Sequence, residues 1–115
     1  MTSCVVEAPA MSNTSVSVVE VEGSLDINNV EQFELVLMKL FREKRFKIVL
    51  NLGKLNYISS AGIGVIMSTI KDVRKNRGDI KIANVTQDVY KVFEMLELPG
   101  IFHVLKTEQD AINSF

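Results

Sequence analysis

Residues 46–78 read FKIVLNLGKLNYISSAGIGVIMSTIKDVRKNRG, and the pattern of this stretch decides the fold class. Residues 46–52 form a short, largely apolar stretch with β-branched Ile48 and Val49, which is typical of a central strand covered on both faces. From about Ala61 to Asn76 apolar side chains recur at helical spacing, at Ile63, Ile66, Ile70 and Val73. Asn76-Arg77-Gly78 then ends the helix. The stretch predicts a buried strand followed by an amphipathic helix that packs on the sheet.

On the N-terminal side, the sequence predicts two further strands. Residues 8–13 have the composition of a turn between two strand-like stretches. Residues 15–22 alternate polar and apolar side chains, which favours a strand with one buried face. We expect Gly23 to end this strand.

A helix is predicted to begin at Asn28 or Asn29. Asn28 and Glu31 have the spacing of a capping box. The apolar stripe of this helix consists of Val30, Phe33, Leu37, Leu40 and Phe41.

The C-terminal part continues the alternation of strands and helices. A strand is predicted at residues 79–84, a helix capped by Thr86, a short strand at residues 101–105 and a helix at residues 107–115. Pro99-Gly100 ends the helix that Thr86 begins. The order predicts an α/β protein with a mixed sheet of about five strands, in which an opening hairpin precedes parallel βαβ units. About four amphipathic helices cover the sheet in single layers, on each face or mainly on one.

Composition indicates one ordinary globular domain over residues 1–115, with 47% hydrophobic and 23% charged residues. The net charge of −1 gives no electrostatic basis for nucleic acid or an anionic membrane as the main partner. No apolar run approaches the roughly 18 residues of a membrane span, and no secretory signal is recognisable. Cys4 is the only cysteine, so we expect it to pack in the core or at an edge rather than to react. These features predict a cytoplasmic protein.

No constellation of catalytic or metal-binding residues is recognisable. His103 is the only histidine and lies in an apolar stretch, which favours a structural role and argues against a zinc site. Gly62-Ile63-Gly64 lacks the third glycine of a dinucleotide fingerprint, because Met67 occupies that position. We therefore expect a protein that is not an enzyme and needs no cofactor.

The segment Ser59-Ser60-Ala61-Gly62-Ile63-Gly64 is unusual because it is small, polar and glycine-rich between apolar stretches. Either Ser59 or Ser60 can cap the following helix. A serine at a helix N-terminus on an exposed loop is also accessible to a kinase. A phosphate there adds about −1.5 to −2 charges, which the helix dipole favours, so the domain would stay folded.

The sequence resembles the STAS domain family of bacterial anti-sigma factor antagonists. Glu22-Gly23-Ser24-Leu25-Asp26 is similar to the family's turn before the first helix, and residues 48–52 are similar to its central strand. Residues 57–65 are similar to its signature, a hydrophobic pair followed by Asp-Ser-(Ser/Thr/Ala)-Gly-Leu-Gly-Val. Here Ser59 stands at the Asp position, and Ala61 at a position that often carries a second hydroxyl.

The resemblance implies a mixed sheet with helices packed largely on one face. It also implies that the unphosphorylated protein binds an anti-sigma factor that is a serine kinase of GHKL type, which frees a sigma factor. The kinase would phosphorylate Ser60, with Ser59 as the alternative acceptor, and a PP2C-like phosphatase would remove the phosphate. The implied partner surface consists of Asp26, Asn28, Ser59, Ser60, Ala61, Gly62 and Ile63.

Two other functions stay open. One is a STAS scaffold or adaptor that is never phosphorylated, as a subunit of a signalling or lipid-transport assembly. The other is a small enzyme or nucleotide-binding protein, for which the glycine-rich loop is the sole support. The sequence is compatible with a monomer or a weak homodimer.

Overall fold

The computed structural model describes residues 4–8 and 16–115. Over these residues the chain forms a five-stranded sheet and four α-helices, and the predicted order of strands and helices is confirmed. The elements are β1 (Cys4–Ala8), β2 (Val16–Leu25), α1 (Val30–Arg42), β3 (Lys47–Ile58), α2 (Ser60–Lys75), β4 (Asp79–Ala83), α3 (Gln87–Met95), β5 (His103–Leu105) and α4 (Glu108–Asn113).

The strands lie side by side in their sequence order, β1-β2-β3-β4-β5. β1 pairs antiparallel with β2, whereas β2 to β5 are parallel to one another. The α/β fold with an opening antiparallel pair and parallel βαβ units is therefore as predicted. Most of the turn predicted at residues 8–13, and the side chain of Cys4, fall outside what the structure describes.

The two faces of the sheet are covered unequally. In β2, Val19 and Val21 belong to the larger core cluster, while Val16 and Val18 belong to a smaller one on the other face. The larger cluster includes the apolar stripes of α1, α2 and α3, and the smaller one includes Ala111 of α4. Three helices thus share one face, which confirms the expectation of helices packed largely on one side.

The central strands are longer than predicted. β3 continues to Ile58, through residues that have no two-residue alternation, and β2 continues through Gly23 to Leu25. Gly23 has a φ of 81°, and the pairing of β2 with β3 shifts on both sides of it. An L-residue rarely adopts this φ, so glycine allows the bulge without ending the strand. The prediction that Gly23 ends β2 is therefore wrong.

The C-terminal elements are shorter than predicted. Leu98–Gly100 forms a 3-10 turn and Phe102 points into the core with 2% exposure, so β5 begins only at His103. His103 is exposed, and its Nδ1 lies 2.9 Å from Nζ of the buried Lys81. α4 ends at Asn113.

Among the described residues, no helix combines the length and apolarity that a membrane crossing requires.

Candidate functional site

Two adjacent serines at the start of α2, Ser59 and Ser60, have different structural roles. Ser59 has extended backbone angles, and its Oγ accepts a hydrogen bond from the Gly62 amide at 3.4 Å. Its carbonyl accepts the Ile63 amide at 3.0 Å, which is the first bond of the helix. Ser60 is the first residue of α2 and is exposed. Of the two alternatives that the sequence left open, Ser59 is the cap, and the Ser60 hydroxyl lies at the surface.

The ends of β2 and β3 hold this helix start in place. The Ser59 amide donates to the carbonyl of Leu25 at 2.9 Å, which links the last residue of β2 to the cap of α2. A Cβ on Gly62 would lie 2.9 Å from Leu25 Cγ and 3.0 Å from Ile58 Cγ1. Glycine is therefore needed at position 62 for the first turn of α2 to approach the sheet this closely.

A turn between β2 and α1 places Asp26 at the same end of the sheet, where β2 and β3 terminate. The Asp26 carbonyl accepts the amides of Asn29 and Val30 at 3.1 and 2.9 Å, and its Oδ1 accepts the Asn28 amide at 2.9 Å. Leu25 and Ser59 are joined by the hydrogen bond described above. Asp26 and Ser60 are the next residues along the chain, so the two side chains lie close to this bond.

The predicted capping box of Asn28 and Glu31 is wrong. The N-cap residue of α1 is Asn29, and it makes no side-chain cap. Its buried side chain instead turns back, so that Oδ1 accepts the Asp26 amide at 2.8 Å and Nδ2 donates to the Ser24 carbonyl at 2.7 Å. These bonds satisfy backbone groups of the turn and leave Asn28 exposed beside it.

The structure divides the predicted partner surface into exposed and buried parts. Asn28 and Ser60 are exposed, and Asp26, Ser59 and Ala61 are partly exposed. Ile63 is only 8% exposed and packs in the larger core cluster, so the prediction that it contributes to a contact surface is wrong. Gly62 is also buried, and its place in that surface is corrected to a packing role.

Two exposed apolar side chains at this edge were missed by the sequence reasoning. Ile27 is 73% exposed beside Asp26, and Tyr57 is 56% exposed two residues before Ser59. Ile27 precedes Val30 by three residues, which is the spacing of neighbours on one face of a helix. Because residues 26–29 form a turn rather than a helix, its side chain points outward. The register pairs Tyr57 with Ser24, so both apolar residues lie at the same ends of β2 and β3.

Known proteins share both the sequence pattern and the fold. The chain is 32% identical over 94 residues to BtrV of Bordetella bronchiseptica, which is assigned as an anti-sigma factor antagonist; the match covers 82% of this chain and 81% of that protein. An anti-sigma factor antagonist from Mycobacterium paratuberculosis has a similar structure, with a TM-score of 0.83, 18% identity and coverage of 96% and 93% of the two chains.

A further solved structure is the Bacillus cell fate determinant SpoIIAA in its phosphorylated form. Its TM-score is 0.71 at 22% identity, and the match covers 95% of this chain and 98% of that one. The family model described as STAS domain matches residues 7–111. A match over nearly the whole chain, together with the shared fold, establishes that this protein belongs to the STAS domain family.

Proposed function

We propose that this protein is an anti-sigma factor antagonist that docks on an anti-sigma factor through the surface around Ser60, and that phosphorylation of Ser60 releases it. The observation that carries the proposal is the exposed Ser60 hydroxyl in the first turn of α2, beside a cap that Ser59 already supplies. The names of the relatives support the antagonist function, and the phosphorylated form of SpoIIAA supports phosphorylation as its control.

The docking surface is defined here as Asp26, Ile27, Asn28, Tyr57, Ser60 and Ala61. Its two large apolar side chains are Ile27, from the turn between β2 and α1, and Tyr57, from the last residues of β3. Partly polar surfaces with a few aromatic or large apolar anchors are typical of protein interfaces. The anchors would bury against the partner and would hold Ser60 near the partner's bound ATP.

A phosphate on Ser60 acts on the partner rather than on this chain. The first turn of a helix carries free amides and the positive end of the helix dipole, so an added anion is tolerated there. When the partner covers the docking surface, the same phosphate is desolvated and contacts the partner groups that face Ser60. Each 1.4 kcal/mol of lost binding energy weakens affinity about tenfold, so a few kcal/mol gives an effective switch.

Ser60 is favoured over Ser59 as the acceptor. Ser59 is partly buried, and its Oγ is engaged by the Gly62 amide. A phosphoryl group transferred to Ser59 would have to fit at this partly buried cap, whereas transfer to Ser60 leaves every described hydrogen bond of the turn intact. The proposed kinase is an anti-sigma factor of GHKL type, and the proposed phosphatase is PP2C-like.

The test combines phosphate transfer with binding. The wild type, Ser60→Ala and Ser59→Ala are incubated with the cognate anti-sigma factor and ATP, and the mass of each chain is measured. We expect one added phosphate on the wild type and on Ser59→Ala, and none on Ser60→Ala. Phosphate on Ser60→Ala would move the acceptor elsewhere.

Binding to the anti-sigma factor without ATP is then measured by calorimetry for Ser60→Asp. We expect the affinity to fall at least about tenfold. The matched control is Gln109→Glu, which adds the same charge in the first turn of α4 on the opposite face of the sheet, and it should bind like the wild type. If the wild type binds no anti-sigma factor, the proposal is overturned; if it binds without phosphate transfer, the protein is an adaptor.

A further inference from the structure

The end of the sheet opposite to Ser60 carries a groove rich in cations. It lies between the connection from α1 to β3 and the connection from α2 to β4, and its volume is about 420 Å³. The amide of Asp79 donates to the Phe46 carbonyl at 2.9 Å, which joins the two connections. We call this the basic groove, and its lining consists of Glu43, Lys44, Arg45, Phe46, Lys47, Asn76, Arg77 and Gly78.

The basic groove concentrates positive charge on a protein of net charge −1. Four cations and one carboxylate line it. Arg45 lies 3.6 Å from the Glu43 carboxylate and also donates to Ser17 Oγ at 3.2 Å. Over residues 4–8 and 16–115, no carboxylate lies within ion-pairing distance of Lys44, Lys47 or Arg77, and all three are exposed. These three cations are available to an external anion.

Two of these cations occupy backbone positions that favour other residues. Lys44 has a φ of 59° and Arg77 a φ of 65°, each directly after the residue that caps the C-terminus of a helix. Glycine or asparagine is usual at this position, because other side chains are strained there. Basic residues in the last turns of both helices already complement the helix dipoles. Helix termination therefore does not explain why a cation stands on each side of the groove.

The backbone around the basic groove points to the kind of anion. The amides of residues 43–45 and 76–79 all donate to backbone carbonyls of the chain. Compact phosphate sites typically use free backbone amides at helix N-termini or in nests, and here two helix C-termini meet instead. Flexible Lys and Arg side chains along both sides of an open groove suit carboxylates that are spaced along an extended chain. We propose that the basic groove binds an acidic segment of a partner protein.

The experiment uses a short blocked peptide of glutamates as the probe and follows the backbone amide resonances of the whole protein by NMR. At low salt we expect saturable shifts concentrated at residues 43–47 and 76–78, and their loss as salt rises above about 0.15 M, because exposed ion pairs are screened. The double variant Lys44→Asn, Arg77→Asn should bind at least about fivefold more weakly, since two exposed ion pairs are removed.

Matched variants separate charge from folding. Asparagine tolerates the left-handed backbone, so the double variant should melt at or above the wild-type temperature. Lys91→Gln removes an exposed cation on α3, outside the groove, and should leave peptide binding unchanged. Shifts outside the groove, unchanged affinity in the double variant, or saturation by inorganic triphosphate without saturation by the peptide would each overturn the proposal. The measurement needs no anti-sigma factor, so its result is independent of the function proposed for Ser60.

Discussion

Ser59 and Ser60 are chemically identical neighbours whose environments differ. Ser59 Oγ accepts a hydrogen bond from the first turn of α2, whereas the Ser60 hydroxyl has no hydrogen-bond partner among the described residues. The difference follows from backbone geometry, because the cap residue is extended whereas the next residue is helical. A phosphoacceptor and a cap can therefore be adjacent without competing.

The first prediction concerns the stability of these two positions. Ser59→Ala should lower the free energy of unfolding by about 1 kcal/mol, because a cap is lost. Ser60→Ala should change it by less than about 0.5 kcal/mol, as expected of an exposed site. Urea denaturation of both variants provides the measurement. A larger loss for Ser60→Ala than for Ser59→Ala would contradict the assignment of the cap.

The second prediction compares two glycines of α2. A Cβ on Gly64 would meet nothing within 4 Å, so Gly64→Ala should stabilise the protein by about 0.5–1 kcal/mol, as alanine is the better helix former. Gly62→Ala should destabilise it by about 1–3 kcal/mol, because the new methyl group would lie 2.9 Å from Leu25 Cγ. Thermal melting should show a higher melting temperature for Gly64→Ala and a lower one for Gly62→Ala than for the wild type. Equal melting temperatures would contradict the close packing at Gly62.

At the scale of elements, the extension of β2 and β3 positions the site. Leu25 and Ile58 are paired across the sheet beyond the bulge at Gly23, and both are almost fully buried. Their burial brings the Asp26 turn and the start of α2 to one edge.

The third prediction concerns the contact between the connection before β3 and the connection before β4. A Cβ on Gly78 would collide with the carbonyl oxygen of Phe46, a backbone atom that cannot rotate away. Gly78→Ala should therefore destabilise the protein by about 2 kcal/mol or more. Gly100→Ala is the control, because a Cβ there would meet nothing within 4 Å. In chemical denaturation, Gly78→Ala should unfold at a lower denaturant concentration than Gly100→Ala. Similar midpoints for the two variants would refute the steric argument.

At the scale of the whole molecule, the proposed docking surface and the basic groove lie at opposite ends of the parallel strands. The former lies after β2 and β3, and the latter lies before β3 and β4. Most of the core lies between them on one face of the sheet. A change of charge at one end should therefore leave both the fold and the other end unaltered.

The fourth prediction tests this independence. Ser60→Asp should change the free energy of unfolding by less than about 1 kcal/mol, because an anion in the first turn of a helix is favourable. It should also leave the amide resonances of residues 43–47 and 76–78 in place. Denaturation and NMR spectra of the variant give both readouts. A large loss of stability with unchanged partner affinity would mean that Ser60 is structural.

Sequence alone determined the order and type of most elements, because apolar periodicity, glycines and caps act over a few residues. It also located the segment at the start of α2 and its family signature. The long-range contacts decided the rest: that Ser59 caps, that Ile63 is buried, and that Ile27 and Tyr57 are exposed. These outcomes depend on where the ends of β2 and β3 meet. A bulge shifts the pairing register of the two strands, and the apolar pattern of the β3 sequence gives no sign of that shift.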